Sequence, residues 1–324
     1  MSIWRAAAEL ARAGGGGALA TVARTTGSTP VPAGTKMLIG ASGRLEGSVG
    51  GGCVEADVID AVADARARGP IIRTHHLNAD LAGDLGLSCG GTVHIVVEPL
   101  VSHPGYVDAL EQAAAAESGT LITGLDWSAG PVKRFAPHPV EPQEPTAELS
   151  PDRLTLIERL SRPPRVIVFG AGHVGRAVAL AASAAGFRVL VVDDRPEFAD
   201  PARFPPEVPV RAATIDDALA AFPIDAGDAI VIATRGHRHD AVILERVAAS
   251  AAGYVGLLGS RRKQAVVTHA LQRAGVPLEA LQRVRVPVGL PIGAVTPEEI
   301  AVSIVAELIA WRRSSGGQER APAT

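Results

Sequence analysis

Val168-Phe169-Gly170-Ala171-Gly172-His173-Val174-Gly175 closes an apolar run that begins at Arg165 and opens an Ala-rich helical pattern reaching Ala185. Its spacing, Gly170-x-Gly172-x-x-Gly175 between a strand and a helix, decides the fold of the second half of the chain. The first glycine permits a tight turn and the second lets backbone approach a pyrophosphate. The third lets helix and strand pack closely, while free N–H groups at the helix start attract an anion. The next apolar run, 187–192, ends at Asp193 and Asp194, about where a ribose-binding carboxylate is expected, and an acid there favours an unphosphorylated ribose. His173 either faces a ligand or is simply a polar loop position. The whole turn has an alternative reading as inherited architecture that holds no dinucleotide, because a fold does not fix a function.

Working outward, strand patterns over 208–212, 229–233, 254–258 and 284–286 alternate with helical ones over 239–251, 261–274 and 297–313. The last helix opens on Thr296-Pro297-Glu298-Glu299, with Thr as N-cap, Pro at the first helical position and Glu three residues on. Such alternation predicts a doubly wound parallel sheet. The first half reads as mixed α/β: helices over 4–13, 53–68 and 105–117, with strands over 18–24, 36–39, 71–77, 92–100 and 119–125. Between them, 131–151 is proline-rich and aperiodic. The expected organisation is a first domain over 1–130, an excursion with a bridging helix (151–160) over 131–162, and a second domain over 163–324.

A different glycine cluster, Gly47-Ser48-Val49-Gly50-Gly51-Gly52-Cys53-Val54-Glu55, sits in the first domain. Three successive glycines allow positive φ angles and close approach of a ligand. Cys53 falls at a helix start, where N–H groups and the helix dipole favour an anionic sulfur. Cys89, beside Gly90 and Gly91, repeats the theme. Thiolate suits soft metals or the carriage of sulfur; the bland alternative is a pair of small buried hydrophobes.

The 324 residues suffice for two cores, and 47 % apolar with 3 % aromatic content suits closely packed α/β layers. A net charge of −3 without a basic, aromatic-interleaved stripe argues against nucleic acid. Neither a secretory signal nor an apolar run of about 20 residues is present, so no membrane role and a cytoplasmic location are expected. Two cysteines without Cys-x-x-Cys spacing make neither a disulfide framework nor a zinc knuckle.

These stretches, together with Leu85-Gly86-Leu87-Ser88-Cys89-Gly90-Gly91, Thr234-Arg235-Gly236-His237-Arg238-His239-Asp240, Tyr254 through Lys263, Pro287 through Ala294 and Thr296 through Ala301, resemble the xanthine dehydrogenase accessory factor family, XdhC/CoxI, over nearly the whole chain. The chain departs mildly at Gly51, where another small residue is usual. The resemblance implies an N-terminal XdhC/CoxI-type domain followed by a Rossmann-like one. It also implies a non-catalytic role: binding molybdenum cofactor (molybdopterin), protecting it during sulfuration by a cysteine desulfurase, and delivering it to a molybdenum hydroxylase such as xanthine dehydrogenase.

On that reading Gly50, Gly51, Gly52, Gly90, Gly170, Gly172 and Gly175 hold phosphate through backbone N–H groups, and Cys53 or Cys89 contacts molybdenum or its labile sulfur. Asp193 and His173 complete the second site. Arg261, at a helix start, meets a phosphate or a partner carboxylate, or else belongs to a solvated face. His237, His239 and Asp240 are read less as a metal triad than as a segment in which Asp240 caps a helix. A homodimer is expected from the Ala-rich faces. The competing class is an NAD(P)-dependent oxidoreductase or a dinucleotide-responsive redox adaptor, against which stands the lack of a Lys-Tyr pair or a placed His-Asp dyad.

Overall fold

The alternation of Val166 and Val168 with Ile167 and Phe169 sends one set of side chains to each face of a central strand, and each set enters a separate core. That is the signature of a sheet covered on both sides. The computed structural model describes residues 3–14, 16–77, 90–116, 118–140 and 145–315. The chain divides into two units, Met1–Arg162 and Pro163–Thr324. Among the described residues, no helix is long and apolar enough to cross a membrane.

The first unit holds two antiparallel sheets. Strands β1 (Ala18–Thr26), β2 (Lys36–Gly40), β3 (Gly43–Gly47), β4 (Ile71–His76) and β5 (Thr92–Pro99) are ordered β3-β2-β1-β5-β4. Helix α2 (Gly52–Arg68) buries Val54, Val58, Ala61 and Ala65 against Ala18, Ala20, Val22 and Ile95 on one face of this sheet. Helices α1 (Ile3–Arg12) and α3 (Pro104–Ala115) pack around Leu19, Leu38 and Tyr106 on the other. The second sheet, β7-β6-β9-β8, is built from β6 (Ser118–Gly124), β7 (Lys133–Pro137), β8 (Ala147–Leu149) and β9 (Thr155–Ser161).

Where a bridging helix is expected over 151–160, residues 151–154 form a turn and the rest belongs to a strand. Strand β9 pairs with β6 along its whole length, from Ser118↔Ser161 to Gly124↔Thr155, and alternately buries Leu156 and Glu158. A carboxylate on the inward face masks the period-2 pattern, which is why the stretch reads as something other than a strand. The proline-rich segment likewise contributes β7 and β8 to the first unit.

In the second unit β10 (Arg165–Phe169), β11 (Arg188–Asp193), β12 (Val210–Ala212), β13 (Asp228–Ile232), β14 (Tyr254–Leu257) and β15 (Val284–Arg285) are all parallel, ordered β12-β11-β10-β13-β14-β15. This is the Rossmann order, and the strand order reverses between β10 and β13. Helices α4 (His173–Ala184) and α9 (Pro297–Ser315) cover one face; α5 (Ile215–Ala221), α6 (His237–Val247), α7 (Arg261–Arg273) and α8 (Leu278–Gln282) cover the other.

The expected cap of α9 is present. Thr296 Oγ1 accepts the Glu299 N–H at 3.3 Å, while the Glu299 carboxylate accepts the N–H groups of Thr296 (3.0 Å) and Val295 (2.8 Å). Those donors hold the Glu299 carboxyl below its usual range. Asp240 does not cap α6. Gly236 occupies that position, and Asp240, fully buried in the first turn, instead accepts the Thr234 hydroxyl at 2.6 Å.

Candidate functional site

The three glycines of the turn after β10 differ in what surrounds them. A Cβ on Gly175 would lie 1.8 Å from the Gly170 carbonyl oxygen, and one on Gly170 would lie 2.4 Å from that of Ala233. Both glycines are required by close packing. A Cβ on Gly172 would meet nothing within 4 Å, so that position leaves open space in front of the N-terminus of α4.

A cavity of about 410 Å³ lies outside the carboxyl ends of the strands, on the β11 side of the turn. Its lining includes Gly170, Asp193, Asp194, Arg195, Thr234 and His239. His173 is elsewhere: exposed at the first position of α4, it lines a second cavity, about 600 Å³, with Arg176, Leu180, Arg203, Glu298 and Val302.

Asp193 is not placed to hold a ribose. One carboxylate oxygen accepts the Ala171 N–H of the glycine turn (2.7 Å) and an Arg195 terminal N–H (2.9 Å). The other accepts the Arg195 backbone N–H (3.0 Å) and Nε–H (2.9 Å). Four donors fill its acceptor capacity. Burial pushes this carboxyl up, but the Arg195 fork and the backbone donors outweigh that and hold it below the usual range. Arg195, stacked 3.6 Å from the Phe198 ring centre, thus presents a guanidinium where sequence reasoning expects a bare acid. The preference for unphosphorylated ribose lapses with it. Asp194 remains half-exposed, 3.7 Å from His239.

In the first unit, Gly50, Gly51 and Gly52 have φ of 136°, 75° and 54°, all in the region that favours glycine. A Cβ on Gly51 or Gly52 would meet nothing within 4 Å, so the turn is open above both. Ser48 ties its base by donating to Glu55 in the first turn of α2. Cys53, the second residue of α2, is exposed. Gly90 is also open-faced, with φ 54° and no atom within 4 Å of a Cβ.

The two glycine clusters of this unit border one loop. A Cβ on Gly91 would lie 2.2 Å from the Ser28 carbonyl oxygen, and one on Gly50 would lie 4.0 Å from Pro30. Cys89 and the side chain of Arg261 lie outside the described residues, as does the side chain of His237. Among the described residues, no group of three or more His, Cys, Asp or Glu side chains comes together to hold a metal.

Sequence reasoning misses a buried ionic cluster. Lys133 Nζ donates to both oxygens of Glu98 (2.8 and 2.9 Å) and to Thr123 (2.5 Å), while Lys36 donates to Glu158 and, at 2.8 Å, to Thr21. Burial wins over pairing at two of these groups. It pushes the Glu98 carboxyl up and the Lys36 ammonium down. The one signal for it in the sequence is charged residues at inward positions of short strands.

Comparison with known proteins follows this division of the chain. Residues 10–76 match the model of the XdhC and CoxI family, and 166–308 match that of the XdhC Rossmann domain. A Bacillus subtilis protein, named as a probable subunit of xanthine dehydrogenase, is 32 % identical over 91 % of this chain and 93 % of its own length. The chain belongs to the XdhC and CoxI family. The Escherichia coli molybdenum cofactor insertion chaperone PaoD is 24 % identical over 96 % of this chain and 88 % of its own. A crystal structure of a protein described as a xanthine dehydrogenase from Bacillus halodurans superposes on this XdhC-type chain with a TM-score of 0.78. It has 27 % identity and covers 100 % of this chain and 98 % of that one.

Proposed function

We propose that this protein is an accessory factor, not a catalyst, that binds molybdenum cofactor, protects it while its terminal sulfur is installed, and delivers it to a molybdenum hydroxylase. The similarity to PaoD and to the Bacillus subtilis protein supports that role. The observation that carries the mechanism is the exposed thiol of Cys53 on a turn whose glycines leave free space above them. A thiol there is free to meet a soft metal or its labile sulfur. Cys89 is assigned the same task, with a cysteine desulfurase and a second copy of this chain as further partners.

Elemental analysis of protein purified with cofactor tests this. Wild type carries molybdenum, and Cys53→Ala lowers the loading several-fold. Equal loading in wild type, Cys53→Ala and Cys89→Ala removes sulfur from the mechanism, and an empty wild type overturns binding itself.

A second reading, nucleotide binding in the second unit, is favoured by the 410 Å³ cavity at the strand carboxyl ends. That volume lies within the roughly 300–1,000 Å³ of small-molecule sites. Arg195, Arg235 and His239 on its lining suit a phosphorylated ribose. Calorimetric titration is expected to show NADP binding more tightly than NAD, and no heat from either at millimolar concentration removes this reading.

A further inference from the structure

The first sheet carries a polar face at one end. Register places Arg24 opposite His94 and His94 opposite Thr74, forming a row across β1, β5 and β4. The next row is Thr26, Thr92 and His76. Cross-strand partners share a face of the sheet. Alternation fixes which face it is. Arg73 and His75 turn toward α2, at 3.6 and 3.3 Å from Asp57, so Thr74 and His76 point to the opposite side. There the Thr74 hydroxyl lies 2.9 Å from His94 Nδ1, and that of Thr92 lies 3.0 Å from His76 Nδ1. Each ring is thereby oriented, and among the described residues neither Nε2 has a hydrogen-bond partner.

A fourth basic side chain comes from the second sheet, whose Ala147 and Leu156 pack on Ala23 and Val96 of the first. The turn between β8 and β9 is tied by Asp152, which accepts from Ser150 and from the Leu154 N–H, and it presents Arg153 with a φ of 60°. Such a conformation is unusual for a residue with a side chain and persists where its surroundings enforce it. Burial first, then the charges of Arg153, Arg24 and His76, hold His94 below its usual pKa, and among the described residues no carboxylate acts on it in the opposite sense. Acids that quench the neighbouring face, Asp57 and Asp64, lie on α2.

The location matters as much as the charge. Thr26 leads directly into Gly27 and Ser28, which pack on Gly91, and Thr92 follows Gly91. The basic ledge therefore adjoins the loop that borders both glycine clusters of this unit.

We propose that Arg24, His76, His94 and Arg153 form an oxyanion site that holds the phosphate monoester of the bound cofactor, beside the loop that borders the Gly50–Gly52 turn. The proposal rests on the cofactor-binding reading above and moves the phosphate from glycine N–H groups to side chains. Guanidinium and imidazole donors converging on one anion give the charge-assisted hydrogen bonds that phosphate oxygens need.

The test has two arms. In the first, full-length protein with carbon-13-labelled histidine is titrated with inorganic phosphate, against sodium chloride at matched ionic strength. The ring signals of His76 and His94 shift saturably with phosphate alone, and Arg24→Gln/Arg153→Gln binds roughly tenfold more weakly. Absence of a saturable shift in wild type, which needs no variant to fold, overturns the site. In the second arm, molybdenum loading of the double variant falls several-fold below wild type while its melting temperature is unchanged. Phosphate binding with undiminished loading makes the ledge a site for a free oxyanion and overturns the cofactor assignment. A saturable shift with no molybdenum in wild type sinks the cofactor reading and leaves the oxyanion site standing.

Discussion

Lys133→Met is expected to destabilise the first unit by about 3–5 kcal/mol, the usual cost of stripping one partner from a buried ion pair. Lys133 and Glu98 are both sealed from solvent, with side-chain exposures of 0 % and 1 %. Their cluster with Lys36 and Glu158 holds two cations and two anions, so losing any one member leaves a net charge buried. Aromatic rings sit against both cations: the Trp4 ring centre is 4.3 Å from Lys36 Nζ, and that of Tyr106 is 5.2 Å from Lys133 Nζ. Burial, with Glu98 alongside, pushes the Tyr106 hydroxyl well above its ordinary pKa, so it stays neutral and cannot replace the lost cation.

The variant therefore leaves Glu98 either charged and unpaired or protonated at neutral pH, and both outcomes oppose folding. Urea denaturation followed by Trp4 and Trp127 fluorescence, in a Trp311→Phe background, isolates the first unit. The double variant Glu98→Met/Lys133→Met should recover most of the loss, because removing a whole buried pair is often close to neutral. If the double variant is as unstable as the single, packing rather than charge explains the effect.

This cluster also shows why the first unit is less legible in sequence than the second. Val166 to Phe169, the Gly170 to Gly175 spacing and the Thr296–Glu299 box are local patterns, and each specifies its element without help from elsewhere. Lys36, Glu98, Lys133 and Glu158 are 122 residues apart at their widest pairing, Lys36 to Glu158. Only the folded sheets reveal that each charge faces inward. The same applies to the basic ledge, whose members are drawn from β1, β4, β5 and a turn. By contrast the Gly50–Gly52 turn and Cys53 are readable because three adjacent glycines before a helical run have few other uses. Helices α5 and α8 escape a periodicity reading because 7 and 5 residues are too few to display a period. At Asp193 the sequence reveals the position and not the role. The residue that claims its carboxylate, Arg195, is two positions on, and nothing in spacing alone shows that it folds back.

Asp193→Ala separates those two roles. An acid kept for a ribose would lose nucleotide affinity on substitution and leave stability nearly unchanged. As the anchor of the glycine turn, Asp193 instead supports the Ala171 N–H and the Arg195 fork at once, in a side chain only 2 % exposed. Losing it strands a buried backbone donor and leaves the Arg195 guanidinium only the looser Asp194 carboxylate at 4.0 Å, at about 1.5–3 kcal/mol for each charged hydrogen bond before relaxation. The expected net cost is about 2–4 kcal/mol on the scale of breaking a buried polar network, seen as an earlier denaturation of the second unit by its Trp311 signal.

The pH dependence has a fixed sign. Because the folded-state pKa lies below the ordinary value, the contribution of Asp193 is fully present above about pH 4, where an unfolded aspartate is ionised. It is lost as pH falls through the folded-state value, as protonation ejects the Arg195 fork. Wild type and Asp193→Ala should therefore differ in stability at neutral pH and converge in acid. A constant difference at every pH would mean that shape, not charge, holds the turn, and a variant as stable as wild type would return Asp193 to the role of ligand acceptor.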